Sequence, residues 1–339
     1  MSCPTHVHTP PRPHVRFAPV HLALRIWNHA SIGVRRAFGT RLIERSIHDY
    51  RLLLDAADPG IHRQLLVRGM REPEQRWILL SYLTPGMRVF DLGANVGYYA
   101  VMMAKLVGEQ GHVYAVEPHP ANYELLQRNL ALNALENVTA GRIAIDVESG
   151  ERTLLLSERC NWHSLHDPRI TARAPWVARY RRAVIGTLRV PAMSLRHYLE
   201  GKPPLDLVRM DLEGYEVQVL RALGELPPQL TRRLGILMET HPEFYDPVRN
   251  DMRSVLKRLR ERHGYRARYV ISDCQFGSWR TPGREAGWSV FARRGYPDEH
   301  IVQRFAYRAI YADLAWDDAA DLICTSENVH AAFLAPDAG

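Results

Sequence analysis

From Arg88 onward, short apolar runs alternate with helical stretches, the pattern that a parallel sheet wound with helices requires. Arg88 to Ala94 (RVFDLGA) reads as a buried strand, Tyr98 to Val107 as a helix, His112 to Pro118 (HVYAVEP) as the next strand and Asn122 to Leu132 as the next helix. Further strands are expected at Val138 to Ile145, Leu205 to Met210, Gly235 to Glu239 and Arg266 to Ile271, with a helix over Asn250 to His263. WSVFA at 288–292 and DLICT at 321–325 compete for the closing strand, and the second is preferred. The main domain is therefore expected to span 59–328, leaving 329–339 as a C-terminal tail.

Ahead of it, prolines at 4, 10, 11 and 13 break the first segment, which lacks the apolar stretch of a secretory signal and reads as a disordered tail. LALRIWNHASIGVRRAF and TRLIERSIHDYRLLLDAA then read as a helical extension that ends at Asp58-Pro59-Gly60. A basic amphipathic helix can lie on a membrane, but packing against its own domain or a second copy in a homo-oligomer is the preferred reading. No apolar run approaches the ~18 residues of a membrane span. Cys3, Cys160, Cys274 and Cys324 show no metal or redox spacing and read as reduced thiols of a cytoplasmic protein. The net charge of +7 comes mostly from scattered arginines, the only lysines being Lys105, Lys202 and Lys257. No recognition helix or zinc pattern accompanies them, so no nucleic-acid partner is expected.

The segment Asp91-Leu92-Gly93-Ala94-Asn95-Val96-Gly97-Tyr98-Tyr99 falls at a strand-to-helix turn, where Gly93 and Gly97 let the backbone approach a ligand. Glu117 ends the next strand about 25 residues beyond Asp91, near the ~20-residue spacing at which a carboxylate accepts bonds from ribose hydroxyls. Together they predict an adenosine-containing cofactor. A dinucleotide site usually has three close glycines and free N–H groups for pyrophosphate, whereas Asp91 repels phosphate and suits the cationic methionine end of S-adenosylmethionine. A nicotinamide-dependent oxidoreductase and a non-catalytic cofactor-binding protein are the alternatives.

GMREPE at 69–74, TPGMRVFDLGANVGYYA, HVYAVEPHPANYELLQRNLALNAL, VRMDLEGYEVQVL and ILMETHPEF together resemble successive blocks of the FkbM family of methyltransferases, across residues 62–270. The resemblance implies a Rossmann-like, seven-stranded class I methyltransferase sheet with helices on both faces. It also implies S-adenosylmethionine held by Glu72, Asp91, Gly93, Ala94, Asn95, Gly97, Tyr98, Glu117 and Pro118, with Asp146 near the adenine. The implied reaction is O-methylation of a hydroxyl on a carbohydrate or specialised metabolite. In one departure, Ser194-Leu195-Arg196 stands where the family commonly has Thr-Leu-Asp.

An alcohol must lose its proton to accept a methyl group, so a base or a metal is expected beside the cofactor. Asp211 and Glu213 in RMDLEGYE end one buried strand, and Glu239 and His241 in METHPEF end another. Ligands of open α/β sheets bind beyond such ends, so both pairs should face one crevice. His241 or Asp211 is the expected base. Ligation of a divalent metal by the acidic cluster is an option but not the expectation. The competing structural readings are a helix cap for Glu213, an arginine partner for Glu239 and a turn for His241. The stretch between Leu156 and Val190 is too long for a connection and reads as a lid or acceptor-binding segment. Trp162, His163, Ser164, Arg179, Arg181 and Arg182 are its expected recognition residues, for a small-molecule or glycan acceptor.

Overall fold

The computed structural model describes residues 18–39, 41–167, 184–273, 300–305, 308–326 and 328–337. The expected N-terminal tail, Arg179, Arg181, Arg182 and the WSVFA run lie outside these residues. Helix α1 (Ala18–Ala37) rests on α2 (Ile61–Arg68), where the Asn28 amide donates to the Val67 carbonyl at 3.0 Å. Between them, the second half of the expected helical extension is instead an antiparallel hairpin, β1 (Leu42–Ile47) and β2 (Tyr50–Asp55). Tyr50, Leu52 and Leu54 are buried at every second position, a strand period that the four-residue spacing of Ile43 and Ile47 masks.

After α3 (Pro73–Tyr82) the chain alternates as expected through β3 (Arg88–Leu92), α4 (Tyr98–Val107), β4 (His112–Val116), α5 (Pro120–Leu132) and β5 (Val138–Gly141). Next come β6 (Ala144–Asp146), β7 (Gly150–Ser157) and β8 (Val184–Ser194), which form a separate small sheet with β8 in the middle. The chain re-enters the main layer through α6 (Leu195–Leu199), where the Ser194 hydroxyl accepts from the His197 N–H. There follow β9 (Leu207–Met210), α7 (Glu216–Gly224), β10 (Gly235–Glu239), α8 (Met252–His263), β11 (Tyr265–Asp273), β12 (Ile301–Arg304), β13 (Arg308–Ala312), α9 (Trp316–Thr325) and β14 (Val329–Pro336).

The main sheet runs β12-β13-β11-β14-β10-β9-β3-β4-β5. The strands β5, β4, β3, β9 and β10 are mutually parallel, and β14 lies antiparallel between β10 and β11. These seven form the Rossmann-like sheet, and β13 and β12 extend it to nine strands. Asp321–Thr325, expected to close the sheet, ends α9 instead, with Leu322 and Ile323 on its buried side. The closing strand is β14, drawn from residues expected to be a tail. Its alanines carry little strand propensity, yet Ala331, Ala332 and Leu334 are fully buried between neighbouring strands.

Successive residues of β3 point to opposite faces: Phe90 joins the core shared with α6, α7, α8 and α9, and Val89 joins the core shared with the hairpin, α2, α3, α4 and α5. Helices thus cover both faces, and the free edge for chemistry is the one where the parallel strands end. No helix among the described residues is long and apolar enough to cross a membrane.

Candidate active site

Four neighbouring parallel strands, β4, β3, β9 and β10, deliver Glu117, Gly93, Asp211 and His241 to one edge. At the β3–α4 turn Gly93 has φ +75°, and a Cβ there would stand 2.4 Å from the Asp211 carbonyl oxygen, so glycine is needed for both conformation and space. The Gly93 and Ala94 N–H groups donate to the Val116 carbonyl, and the Asn95 N–H donates to Glu117 Oε2 at 3.0 Å. The other Glu117 oxygen accepts from the His119 N–H at 2.9 Å. Burial pushes the Glu117 carboxyl up to about 7 despite these donors. Gly93, Ala94, Asn95, Tyr98, Glu117 and Pro118 line a cleft of about 800 Å³ including its mouth, faced by Ile143, Leu154 and His163.

Several expected contacts stand behind this wall. Gly97, at φ +91°, precedes α4 and is closed in by Leu126. Asp91 is fully buried and faces its register partner on β9, Arg209, at 3.5 Å. Burial, only partly opposed by Arg209, pushes its carboxyl up to about 6. The carboxylate expected to meet a cationic ligand is thus turned onto an arginine. Glu72 pairs with Arg71 and accepts from Gln75 Nε2 at 2.9 Å and the Tyr99 hydroxyl at 2.6 Å. Asp146 pairs with Arg152 and accepts from the Tyr215 hydroxyl at 2.7 Å, and it is Tyr215 that faces the cleft.

Of the expected acceptor-binding residues, His163 lines the cleft, its Nδ1 accepting from the Ser157 N–H at 3.0 Å. Trp162 lies under the Arg159 guanidinium, outside the wall. Ser164 is 2% exposed and donates its hydroxyl to the Glu213 carbonyl at 2.9 Å. It therefore holds the chain at Glu213, whose φ of +51° is left-handed, rather than presenting its hydroxyl to a substrate.

At the ends of β9 and β10, Asp211, Glu239 and His241 bring their donor atoms within 4.8 Å of one another. His241 Nδ1 meets Glu216 Oε1 at 3.1 Å, and its Nε2 faces Glu213 Oε2 at 3.5 Å and Asp211 Oδ1 at 4.0 Å. Burial pushes the imidazole pKa down, but Glu216 and Glu213 outweigh it and hold the ring well above the ordinary histidine value. Burial raises Glu213 to about 8 against the pull of His241, and burial with Asp211 and Glu72 raises Glu239 well above the carboxylate range. Asp211 is held below that range by Arg209 and Arg71 in spite of its burial.

Four residues of this arrangement escaped the sequence reading as site residues. Arg71 bridges Glu72, Asp211 and Glu239. Arg209 lies 4.0 Å over the Tyr99 ring and reaches both Asp91 and Asp211. Glu216, fully buried, accepts from His241 and from the Tyr245 hydroxyl at 2.7 Å. A signal for Arg209 was present, since a charged residue inside the apolar run LVRM needs a buried partner. Glu216 and Tyr245 gave none, because their meeting with His241 is a product of the turns.

The strand order, with one reversed strand among the seven of the Rossmann-like part, and a glycine turn opposite a buried acid on the adjoining strand end define a Rossmann-like methyltransferase fold. Residues 91–267, just over half of the chain, match the Methyltransferase FkbM domain, and the chain belongs to that family. It is 30% identical over 174 residues to the methyltransferase sdnD of Sordaria araneosa, covering 45% of this chain and 65% of the relative. It is 46% identical over 57 residues to a protein-L-isoaspartate O-methyltransferase of Methanothrix thermoacetophila, covering 17% and 27%. The chain thus spans less than two thirds of the length of either relative. Among solved structures, it is similar to a methyltransferase FkbM from Methylobacillus flagellatus KT (14% identity, 55% of this chain and 39% of that one, TM-score 0.34). It is also similar to M. jannaschii TYW2 in complex with AdoMet (15% identity, 88% of each chain, TM-score 0.41).

Proposed function

We propose that this protein is an S-adenosylmethionine-dependent O-methyltransferase that acts on a hydroxyl of a carbohydrate or specialised metabolite. The observation that carries the reading is the pairing of Glu117 with the Asp211, Glu239 and His241 cluster along one edge of the sheet. One end suits a ribose, and the other can take up a proton.

The residues fit the cofactor. Both Glu117 oxygens are held by backbone N–H groups, and the carboxyl keeps lone-pair capacity at the cleft wall for ribose hydroxyls. Ile143, Leu154 and Leu165 offer an apolar bed for the adenine, and Gly93 leaves backbone exposed beside Asp211 for the methionine end. When bound, S-adenosylmethionine supplies an electrophilic methyl on a sulfonium. Glu216 fixes the His241 ring, and the carboxylates around it favour a positive charge there. Arg71 and Arg209 hold Asp211 in place. The acceptor is positioned between this cluster and the cleft, where orientation supplies about 7–11 kcal/mol of the barrier. Cys160 and Cys324 are free thiols, which supports a cytoplasmic setting.

Calorimetry with S-adenosylmethionine and with nicotinamide cofactors tests the first half, and preference for a nicotinamide would overturn it. Metabolites and glycans from cells with and without the protein, compared for one added methyl group, test the second. The His241→Ala variant should lower turnover on the acceptor about 10²- to 10⁴-fold and leave cofactor affinity nearly unchanged.

A further inference from the structure

At the ends of β9 and β10, Asp211 gives Oδ2 to Arg209 at 3.4 Å and to Arg71 at 3.6 Å. Its Oδ1 is buried and accepts from no N–H group among the described residues, and the Asp211 and Glu239 carboxyls lie within hydrogen-bond reach of each other. Glu239 gives Oε2 to Arg71 at 3.4 Å. The His241 side chain is 9% exposed, and its Nε2 comes no closer to a protein oxygen than 3.5 Å. Its Nδ1 is tied to Glu216, which is saturated by the Tyr245 hydroxyl on Oε1 and the Gly214 N–H on Oε2. The two carboxylates are therefore anchored by one oxygen each, and the imidazole is oriented by a buried carboxylate behind it. That is how ligands of a metal ion are commonly held.

The spacing agrees. Donors around an ion at about 2.1 Å stand about 3–3.5 Å apart, so the 4.0 Å between His241 Nε2 and Asp211 Oδ1 closes with a small side-chain shift. A second trio, Asp58, His62 and Cys160, fails the same examination. There His62 Nδ1 accepts from the Asp55 N–H at 3.0 Å, so the ring proton sits on Nε2 and no lone pair is left for an ion.

We propose that Asp211, Glu239 and His241 hold a divalent transition-metal cation of the manganese class beside the cleft. Two carboxylate oxygens and one imidazole nitrogen suit such an ion, and the remaining positions are open to water or to an oxygen ligand. The site stands on its own geometry. Its role, to draw in the acceptor hydroxyl and ease loss of its proton in place of proton uptake by His241, whose Nε2 is then committed to the ion, rests on the methyl-transfer reading.

Manganese titration of the full-length protein, followed by loss of the free-ion electron paramagnetic resonance signal, tests the site without any turnover. One ion per chain is expected. Asp211→Asn should weaken binding at least 100-fold, and Glu216→Gln, which removes only the carboxylate behind the histidine, about 10- to 100-fold. Near-ultraviolet circular dichroism of both variants checks that they are folded. A free-ion signal that persists at millimolar protein, or equal affinity in both variants and the parent, would overturn the proposal. So would expulsion of the ion by S-adenosylmethionine, which would assign the cluster to the cationic end of the cofactor. Manganese bound by a protein that ignores S-adenosylmethionine upholds the site and removes the methyl-transfer reading. Full methyl transfer in excess chelator upholds the methyl-transfer reading and overturns the ion's role in it.

Discussion

Glu117 makes the proposed cofactor site sensitive to pH in a direction that can be worked out beforehand. In the free protein its carboxyl is raised from 4.5 to about 7, chiefly by burial. Ribose hydroxyls donate to a carboxylate, so S-adenosylmethionine should select the ionised form. One pH unit below that value only about one molecule in eleven is ionised, so affinity should fall about tenfold there, or about 1.4 kcal/mol. Above about pH 8 it should level off. Calorimetry in two buffers of different ionisation enthalpy should record release of about 0.9 proton per bound cofactor on the acid side of 7 and about 0.1 on the alkaline side. The same shift has a consequence for the unliganded protein. Because the folded-state value lies above the unfolded one, this group's contribution to stability is complete below pH 4.5 and is lost as the pH rises through about 7. The loss amounts to about 3 kcal/mol. Glu117→Gln removes the titration but turns an NH₂ group toward one of the two backbone donors, so affinity should drop by about 1.5–3 kcal/mol from the wild-type plateau above about pH 8 and stay level as the pH falls. A wild-type pH profile with the slope of the Glu117→Gln profile would refute the reasoning.

Other consequences follow from the packing around the cleft. Gly93→Ala adds a Cβ 2.4 Å from the Asp211 carbonyl, whereas Gly86→Ala has a similar positive φ but nothing within 4 Å. Both should show about 1–3 kcal/mol of backbone strain on thermal unfolding, but only Gly93→Ala should also lose cofactor binding. Arg209→Met leaves Asp91 and Asp211 facing each other without the guanidinium between them, and should cost about 3–5 kcal/mol in denaturant unfolding. Adding Asp91→Asn should recover part of that loss, and additive effects would mean the two do not interact. Ser164→Ala removes the donor to the Glu213 carbonyl, about 1 kcal/mol, and should lower kcat more than it alters cofactor affinity. Unchanged kcat would separate Glu213 from the chemistry.

The parts of the fold that were legible are those whose information is local. The strands flanking Asp91 and Glu117 and the helices between them show their apolar period within single windows of sequence. The hairpin at 42–55 and the strand at 329–336 were not legible, for opposite reasons. In the hairpin, isoleucines spaced for a helix compete with an alternating stretch. In β14, an alanine-rich segment acquires its state from β10 and β11 on either side. The site divides in the same way. Glycines in a strand-to-helix turn and an acid at the next strand end can be placed by counting residues. Which way a carboxylate turns cannot, and so Asp91 meets Arg209 from a strand more than a hundred residues away.

The backbone carries a further mark of this edge. Among the described residues, six that are not glycine have positive φ: His48, Glu72, Asn95, Ala134, Glu213 and Asp313. His48, Ala134 and Asp313 follow the ends of ordinary elements. The other three all touch the cleft or the charge cluster behind it, and each is held by a bond to that same region. The Asn95 N–H meets Glu117, the Glu213 carbonyl takes the Ser164 hydroxyl, and the Glu72 carboxylate takes the Tyr99 hydroxyl. Left-handed geometry costs about 1–2 kcal/mol at Glu72 and Glu213, and less at Asn95, whose own Oδ1 accepts from the Val96 N–H at 2.9 Å. What it achieves is directional: it turns the Asn95 N–H toward Glu117 and lets the chain beyond Asp211 double back to Glu216 within a few residues. The strain and the excess of buried acid thus have one origin. Both are concentrated where the parallel strands end, and the apolar cores on the two faces of the sheet supply the stability that tolerates them.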